Sequence, residues 1–424
     1  MFEDNQRATT LQPYRRRPAP YVVAALLLTL GLAGPTKADV VTDWNATVTT
    51  VSAFMEKRAA AVAIVDAAYM HAAIYDAVNS IDRRFTPYAV SPASPPPAGT
   101  SPEAAAVAAA YRVLVHMFPN QRAFLDERYA QSLALIPDGQ ARADGIALGA
   151  EIAGKFIELR NGDGWNASVA YTPGIGPGAW QPTGGAPVAP WLAKMRPFAI
   201  LTPSQFRAAG PPALGSAQWA QDFNETKLFG ALDNSARTPE QTEIGRFYTE
   251  HTGLQYARIF RDFAAQQKLS LADEARLFAA LYVTGADALI AGFDSKYYFG
   301  FWRPVTAIRA GATDGSELTA GDPDWAPLAA TPGHPEYPAA HGCLTAAWAE
   351  VLKNFFGTKR VHITLTSAVT GTSRTFDNTD DLIKEIIDAR IFGGMHYRTS
   401  GVHGAVIGKK VARFVADHYF HPVK

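Results

Sequence analysis

The feature that most constrains this chain is a repeated pattern. Alanine-rich segments carry apolar residues at helical spacing, and no sustained two-residue alternation interrupts them. The segments run over 51–80, 102–117, 141–159, 239–247, 271–293, 341–355 and 382–392. A pattern with a period near 3.6 residues buries one face as a helix and cannot present a consistent face as a strand, so an all-α protein is expected. Two segments also carry explicit start signals. Ser101-Pro102 and Thr238-Pro239-Glu240-Gln241 each place a hydroxyl at the cap and proline at the first helical position, and the second adds a capping-box glutamine.

Between Pro173 and Pro190 stand five glycines and five prolines, a density that forbids a regular helix. A crossover over 173–237 is therefore expected to join an N-terminal helical unit, 39–172, to a C-terminal helical domain, 238–424. With 48% hydrophobic residues in 424, the chain can bury a large core. Its 39 basic and 39 acidic residues balance, which argues against nucleic acid as a partner. The single cysteine, Cys343, excludes an intramolecular disulfide and any multi-cysteine metal site, so metal chemistry would fall to His, Asp and Glu.

The first 38 residues are expected to be an export signal. Arg15, Arg16 and Arg17 precede an apolar run from Tyr21 to Leu32, and Thr36-Lys37-Ala38 offers small residues for cleavage, so that the mature chain would start at Asp39 in the periplasm or outside the cell. The run falls short of the ~20 residues that a membrane span needs, so no stable span is expected after cleavage. Asp66, His71, Tyr75 and Asp76 on one alanine-rich helix could line a site, but polar groups in that setting are more often a hydrogen-bonded core network. His403, His418 and His421, with Lys409, Lys410 and Arg413, suggest an exposed face or tail more than a second metal site.

The chemistry concentrates in the last third. Lys296 and Arg303, seven residues apart among aromatic residues, would share one face of a helix two turns apart. In Pro335-Glu336-Tyr337-Pro338-Ala339-Ala340-His341-Gly342 proline closes an extended stretch just before a helix. Free backbone N–H groups at that start, around Ala340, would form an anion site beside His341. Arg390 and His396 follow six residues apart, and Gly393-Gly394 between them allows the chain to break and turn His396 back toward Arg390. Three cations, a helix N-terminus and two histidines describe a pocket for a tetrahedral oxyanion.

Lys296-x6-Arg303-Pro304, then Pro338-x-x-His341, then Arg390-x5-His396 resembles the three-part signature of the vanadium-dependent haloperoxidase and type 2 phosphatidic acid phosphatase superfamily. The segment from His71 to Asn79 resembles secreted bacterial haloperoxidase-like members. The resemblance implies two helical bundles with the pocket in the C-terminal one. It implies vanadate as cofactor, with phosphate as a competing anion, held by Lys296, Arg303, Arg390 and the backbone at Ala340. His396 would be the axial ligand of vanadium, or the nucleophile toward phosphorus; His341 would be the acid–base residue, and Lys296 would polarise the bound peroxide.

By the same resemblance hydrogen peroxide, a halide and a small organic acceptor would be the partners. His334, seven residues before His341, stands where bromoperoxidases tend to carry histidine and chloroperoxidases phenylalanine, which leans toward bromide. The chain departs from the pattern at Ala339, where serine is usual, at Ala389, and at Ser400, where an aspartate would orient the axial histidine. Those departures put phosphatase power in doubt. Three functions therefore stay open on the sequence: a haloperoxidase, a phosphatase acting through a phosphohistidine, and an inactive oxyanion-binding protein.

Overall fold

The computed structural model describes residues 39–423, so the expected export signal lies outside the described residues. Helices dominate. The N-terminal half comprises α1 (Val40–Thr49), which runs into a π-helical turn, α2 (Ala60–Asp82), α3 (Pro102–Met117), α4 (Arg122–Ala134) and α5 (Gln140–Arg160). Beyond the glycine- and proline-rich stretch come α6 (Ala217–Gly230), α7 (Pro239–Phe247), α8 (Thr252–Gln267), α9 (Leu271–Phe299), α10 (Pro304–Arg309), α11 (Ala340–Phe356), α12 (Thr379–Phe392) and α13 (Arg398–His418).

The two start signals behave as their chemistry requires. Ser101 Oγ accepts from Ala104 N–H at 3.1 Å to open α3. At α7, Thr238 and Gln241 close a reciprocal box at 3.2 and 2.9 Å. The 51–80 segment is not one helix, because the backbone leaves helical geometry between the π turn and α2. The 173–237 crossover is also not wholly irregular. Ser216 caps α6, and that helix earns its place by burying Trp219 and Phe223 in a small aromatic core with Phe301, Trp302, Trp325 and Tyr397.

Two short strands interrupt the helices. Ile363–Thr366 and Ser373–Phe376 pair antiparallel, with Ile363 opposite Phe376 and Thr366 opposite Ser373. The first strand alternates buried and half-buried residues over only four positions, too short a run to stand out in the sequence.

The core is built on α2 and α9, which lie against each other and are long and apolar enough to cross a membrane by length and composition. Each has 94% of its most apolar stretch buried by surrounding protein. They join the N-terminal helices and the C-terminal bundle in one continuous apolar core. Asp287 on α9 ties the crossover to that core by accepting the backbone N–H groups of Phe198, Ala199 and Ile200 at 2.7 to 2.8 Å.

The N-terminal polar cluster forms the network expected of it. Asp66 accepts from Ser52 and Trp165, Asp76 from three successive backbone N–H groups of residues 88–90, and Tyr75 donates to Thr86 O. His71 stacks on Tyr282 and contacts Asn45.

α11 packs against both α9 and α13, and its approach to α13 depends on missing side chains. A Cβ added at Gly408 would stand 2.0 Å from Cys343 O, and one at Gly404 2.6 Å from Ala339 O. Backbone therefore meets backbone at the end of α11 that carries His341.

Candidate active site

Lys296 sits in the last turn of α9, fully buried, and donates Nζ to the carbonyls of Pro335 and Glu336 at 3.0 and 2.9 Å. The helix stops at Phe299 because Gly300 turns left-handed, with φ at 54°. Arg303 then caps α10 instead of continuing α9. The two cations thus do not share a helix face as the seven-residue spacing suggested; the break delivers them to the site from two directions.

Arg303, also fully buried, donates Nε to His334 O at 2.9 Å and Nη1 to Met395 O at 2.9 Å. It meets Nε2 of His396 with Nη1 at 3.1 Å and Nδ1 of His334 with Nη2 at 2.9 Å. Arg390 occupies the last turn of α12 and donates to Tyr248 O and to the Met395 thioether, each at 3.0 Å. Past it, Gly393 and Gly394 end the helix, and Gly394 takes φ of 71°. His396 folds back so that its N–H reaches Arg390 O at 3.3 Å, as the glycine pair predicted.

His396 is held in one orientation. Its Nδ1 lies 2.8 Å from Glu336 Oε1, and both residues are buried. A guanidinium only donates, so the neutral imidazole must accept from Arg303 at Nε2 and carry its own proton on Nδ1, toward Glu336. Nε2 keeps its lone pair and receives the Arg303 N–H. Glu336 therefore gives His396 a carboxylate neighbour that Ser400 does not supply. Nothing in the Pro335–Gly342 segment by itself assigns Glu336 a role. An acidic residue between two prolines next to a buried site was the available signal. Ser400 Oγ and Glu336 Oε2 are both buried without a hydrogen-bond partner among the described residues.

His341 stands in the first turn of α11, with Nε2 2.9 Å from Thr252 Oγ1. Thr252 opens α8 and was invisible as a site residue, since nothing local marks a threonine as the neighbour of a histidine 89 positions away. The α11 ladder begins with Cys343 N–H on Ala339 O, so the preceding N–H groups, Ala340's included, are the ones an anion can take. Ala339 makes no side-chain cap bond.

A cavity of about 340 Å³ brings these parts together. His334, Ala340, His341, Arg390, Met395 and His396 form one wall, and Ile64, Val188, Leu289 and Phe293 contribute to an apolar one. Lys296 and Arg303 do not line the cavity but bond the 334–336 segment, Lys296 at the Pro335 and Glu336 carbonyls and Arg303 at His334. His403 is not part of this cavity and bonds Tyr337 through Nδ1 instead.

The electrostatics call for an anion. Burial pushes Lys296 well below its ordinary range and Arg303 and Arg390 down to about 10 and about 9, with repulsion from Arg303 adding to the fall at Lys296 and Arg390. Their buried carboxylate neighbour, Glu336, is itself pushed up to about 7 by desolvation, against the pull of Lys296 and Arg303. Burial and the same three cations hold His341 and His396 well below the usual histidine range, so both are neutral. Arg390 Nε is buried without a partner, and Nη2 spends its hydrogen bond on a thioether, a weak acceptor. Unspent guanidinium donors, an excess of buried positive charge and an imidazole lone pair fit a tetrahedral oxyanion such as vanadate or phosphate.

Residues 276–424 match the family described as the VCPO second helical-bundle domain. The chain is 28% identical over 190 residues to the vanadium chloroperoxidase of Curvularia inaequalis, covering 37% of this chain and 30% of that protein. It thus spans under a third of that curated relative's length. Among solved structures it resembles the first bacterial vanadium-dependent iodoperoxidase, with a TM-score of 0.76 and 22% identity over 92% of this chain and 98% of the other. It also resembles an apo-type bacterial vanadium-dependent chloroperoxidase, with a TM-score of 0.66 and 17% identity over 92% and 95%. The helical-bundle fold of vanadium haloperoxidases is therefore the fold of this chain.

Proposed function

We propose that this chain, whose residues 276–424 carry the second helical-bundle domain of the vanadium chloroperoxidase family, is a vanadate-dependent haloperoxidase that oxidises halide with hydrogen peroxide to hypohalous acid. The observation that carries this reading is the His396 lone pair held against buried Arg303, under the electrostatic influence of Lys296 and Arg390 as well, with a neutral His341 on the same cavity. Vanadate, when bound, supplies a Lewis-acid centre that activates peroxide for two-electron oxidation.

The protein's part is binding, orientation and proton movement. Lys296, Arg303 and Arg390 would hold the oxygens of a bound oxyanion, and Lys296 would stabilise negative charge on it. His396, oriented by Glu336, would offer Nε2 as the ligand to vanadium. His341 accepts and returns a proton. Its basicity is depressed by the cations and rises when a bound anion offsets them.

Bromide is favoured over chloride on this reading, because His334 lines the cavity and bonds Arg303. The iodoperoxidase among the similar structures adds iodide to the halides worth testing. The apolar wall would admit a small organic acceptor. The chain would act in the periplasm or outside the cell, on the strength of residues 1–38.

A phosphatase acting through a phosphohistidine is the second reading, and Glu336 is the observation that favours it. The carboxylate needed to raise the nucleophilicity of His396 is present after all, although the serine donor lost at Ala339 is not replaced.

The deciding experiment adds vanadate to metal-free protein and assays peroxide with bromide or iodide, then assays a chromogenic phosphate ester separately, each beside His396→Ala. Halide oxidation that needs vanadate and His396 is the expected result. Fast ester hydrolysis lost in the variant, with no halide oxidation, would establish the phosphatase instead.

A further inference from the structure

Met395 is the residue that the proposed chemistry does not use and that stands nearest to it in the chain. It precedes His396, is only 2% exposed, and lines the cavity with His341, Arg390 and His396. Its sulfur receives a hydrogen bond from Arg390 Nη2 at 3.0 Å, while Arg390 Nε has no partner. A thioether has two lone pairs and is a soft nucleophile, readily oxidised to the sulfoxide. It is a poor acceptor for a guanidinium, whereas a sulfoxide oxygen is a strong one.

We propose that Met395 is an oxidation site within the cavity, converted to methionine sulfoxide by the oxidant made there. This rests on the haloperoxidase reading. The sulfur lone pair attacks the halogen of hypohalous acid and the O–X bond breaks to release hydroxide; water then adds its oxygen to sulfur as halide leaves, and of the two protons it sheds one neutralises the hydroxide. The sum is thioether plus HOX giving sulfoxide plus HX. Sulfur loses two electrons, the halogen gains two, and one proton leaves with the halide. The new oxygen lies beside Arg390 and takes N–H groups that an oxyanion would otherwise hold, so oxidation of Met395 lowers oxyanion affinity and limits the enzyme's own working life. A methionine sulfoxide reductase would restore it.

Exposure alone gives the opposite order of attack. Met55 is 38% exposed, whereas Met70, Met117 and Met195 are buried outside this cavity, so a bulk oxidant would take Met55 first. The test is a peptide map by mass spectrometry of vanadate-loaded protein turning over peroxide and bromide, with halide oxidation followed in the same tube. A parallel sample receives reagent hypobromite without vanadate or peroxide.

Sulfoxide at Met395 before Met55 during turnover, with the order reversed under reagent hypobromite, is the expected result. A weakened vanadate affinity of the oxidised protein, recovered by a sulfoxide reductase, is expected with it. Turnover with Met395 unmodified, or with Met55 oxidised first, would overturn the proposal while leaving the haloperoxidase reading intact. No halide oxidation would overturn both. Slower activity decay in Met395→Leu, each protein normalised to its own initial rate, supplies an independent arm; equal decay would count against the proposal.

Discussion

Glu336 Oε1 lies 2.8 Å from Nδ1 of His396, and the same oxygen accepts the Tyr397 N–H at 3.2 Å. One buried carboxylate thus fixes both the imidazole and the backbone that follows it. Its own main-chain carbonyl receives Lys296. A residue outside the three cationic motifs couples two of them, and an orphaned position at Ser400 need not imply an orphaned histidine.

Replacing Glu336 by Gln keeps the volume but removes the charge that orients Nδ1–H. Outer-shell partners of this kind are worth roughly 10–100-fold in metal affinity, and a loss of that size in vanadate binding is expected. Calorimetric titration with vanadate measures it. An unchanged affinity, with circular dichroism unaltered, would show that His396 is oriented by other contacts.

His334→Phe removes the acceptor of Arg303 Nη2 and the imidazole from the cavity wall. The chloride-to-bromide activity ratio is expected to rise in a vanadate-loaded, peroxide-fed assay. A ratio that stays put would remove His334 from halide selection.

Gly408→Ala places a methyl group 2.0 Å from Cys343 O, against backbone that cannot rotate away. Separating α13 from α11 should cost about 1–3 kcal/mol or more, as overpacking does. A chemical-denaturation midpoint at the wild-type value would contradict the close helix approach.

Glu274 is buried near Asp39 and Asp43, and desolvation first, then the bond to Asp39 and the repulsion of both, push its pKa up to about 9. The folded protein therefore keeps a proton that the unfolded chain releases near the ordinary carboxylate value. The contribution of Glu274 is full below that value and declines as pH rises toward about 9. Glu274→Gln, which cannot ionise, should flatten this part of the slope and melt higher than wild type at pH above neutrality. Thermal unfolding across a pH series tests it, and parallel profiles for the two proteins would refute the shift.

Periodicity and punctuation determined a good deal without any tertiary information. The helical spacing of alanine-rich segments, the caps at Ser101 and Thr238, and the glycine pair before His396 are local, because a helix and its ends are decided within a few residues. The order of Lys296, Arg303, His341, Arg390 and His396 was legible for the same reason: motif spacing survives in the chain.

What the residues do to one another was decided by the fold. Lys296 and Arg303 looked like neighbours on one helix until Gly300 ended α9 between them. Glu336 became the partner of His396, 60 positions away, and Thr252 the partner of His341, 89 away. Such pairings form only when α9, α11 and α12 are packed and water is expelled. Burial then depresses the histidines and leaves three cations with one nearby carboxylate, Glu336, which favours an added anion, a consequence of desolvation that no sequence spacing encodes.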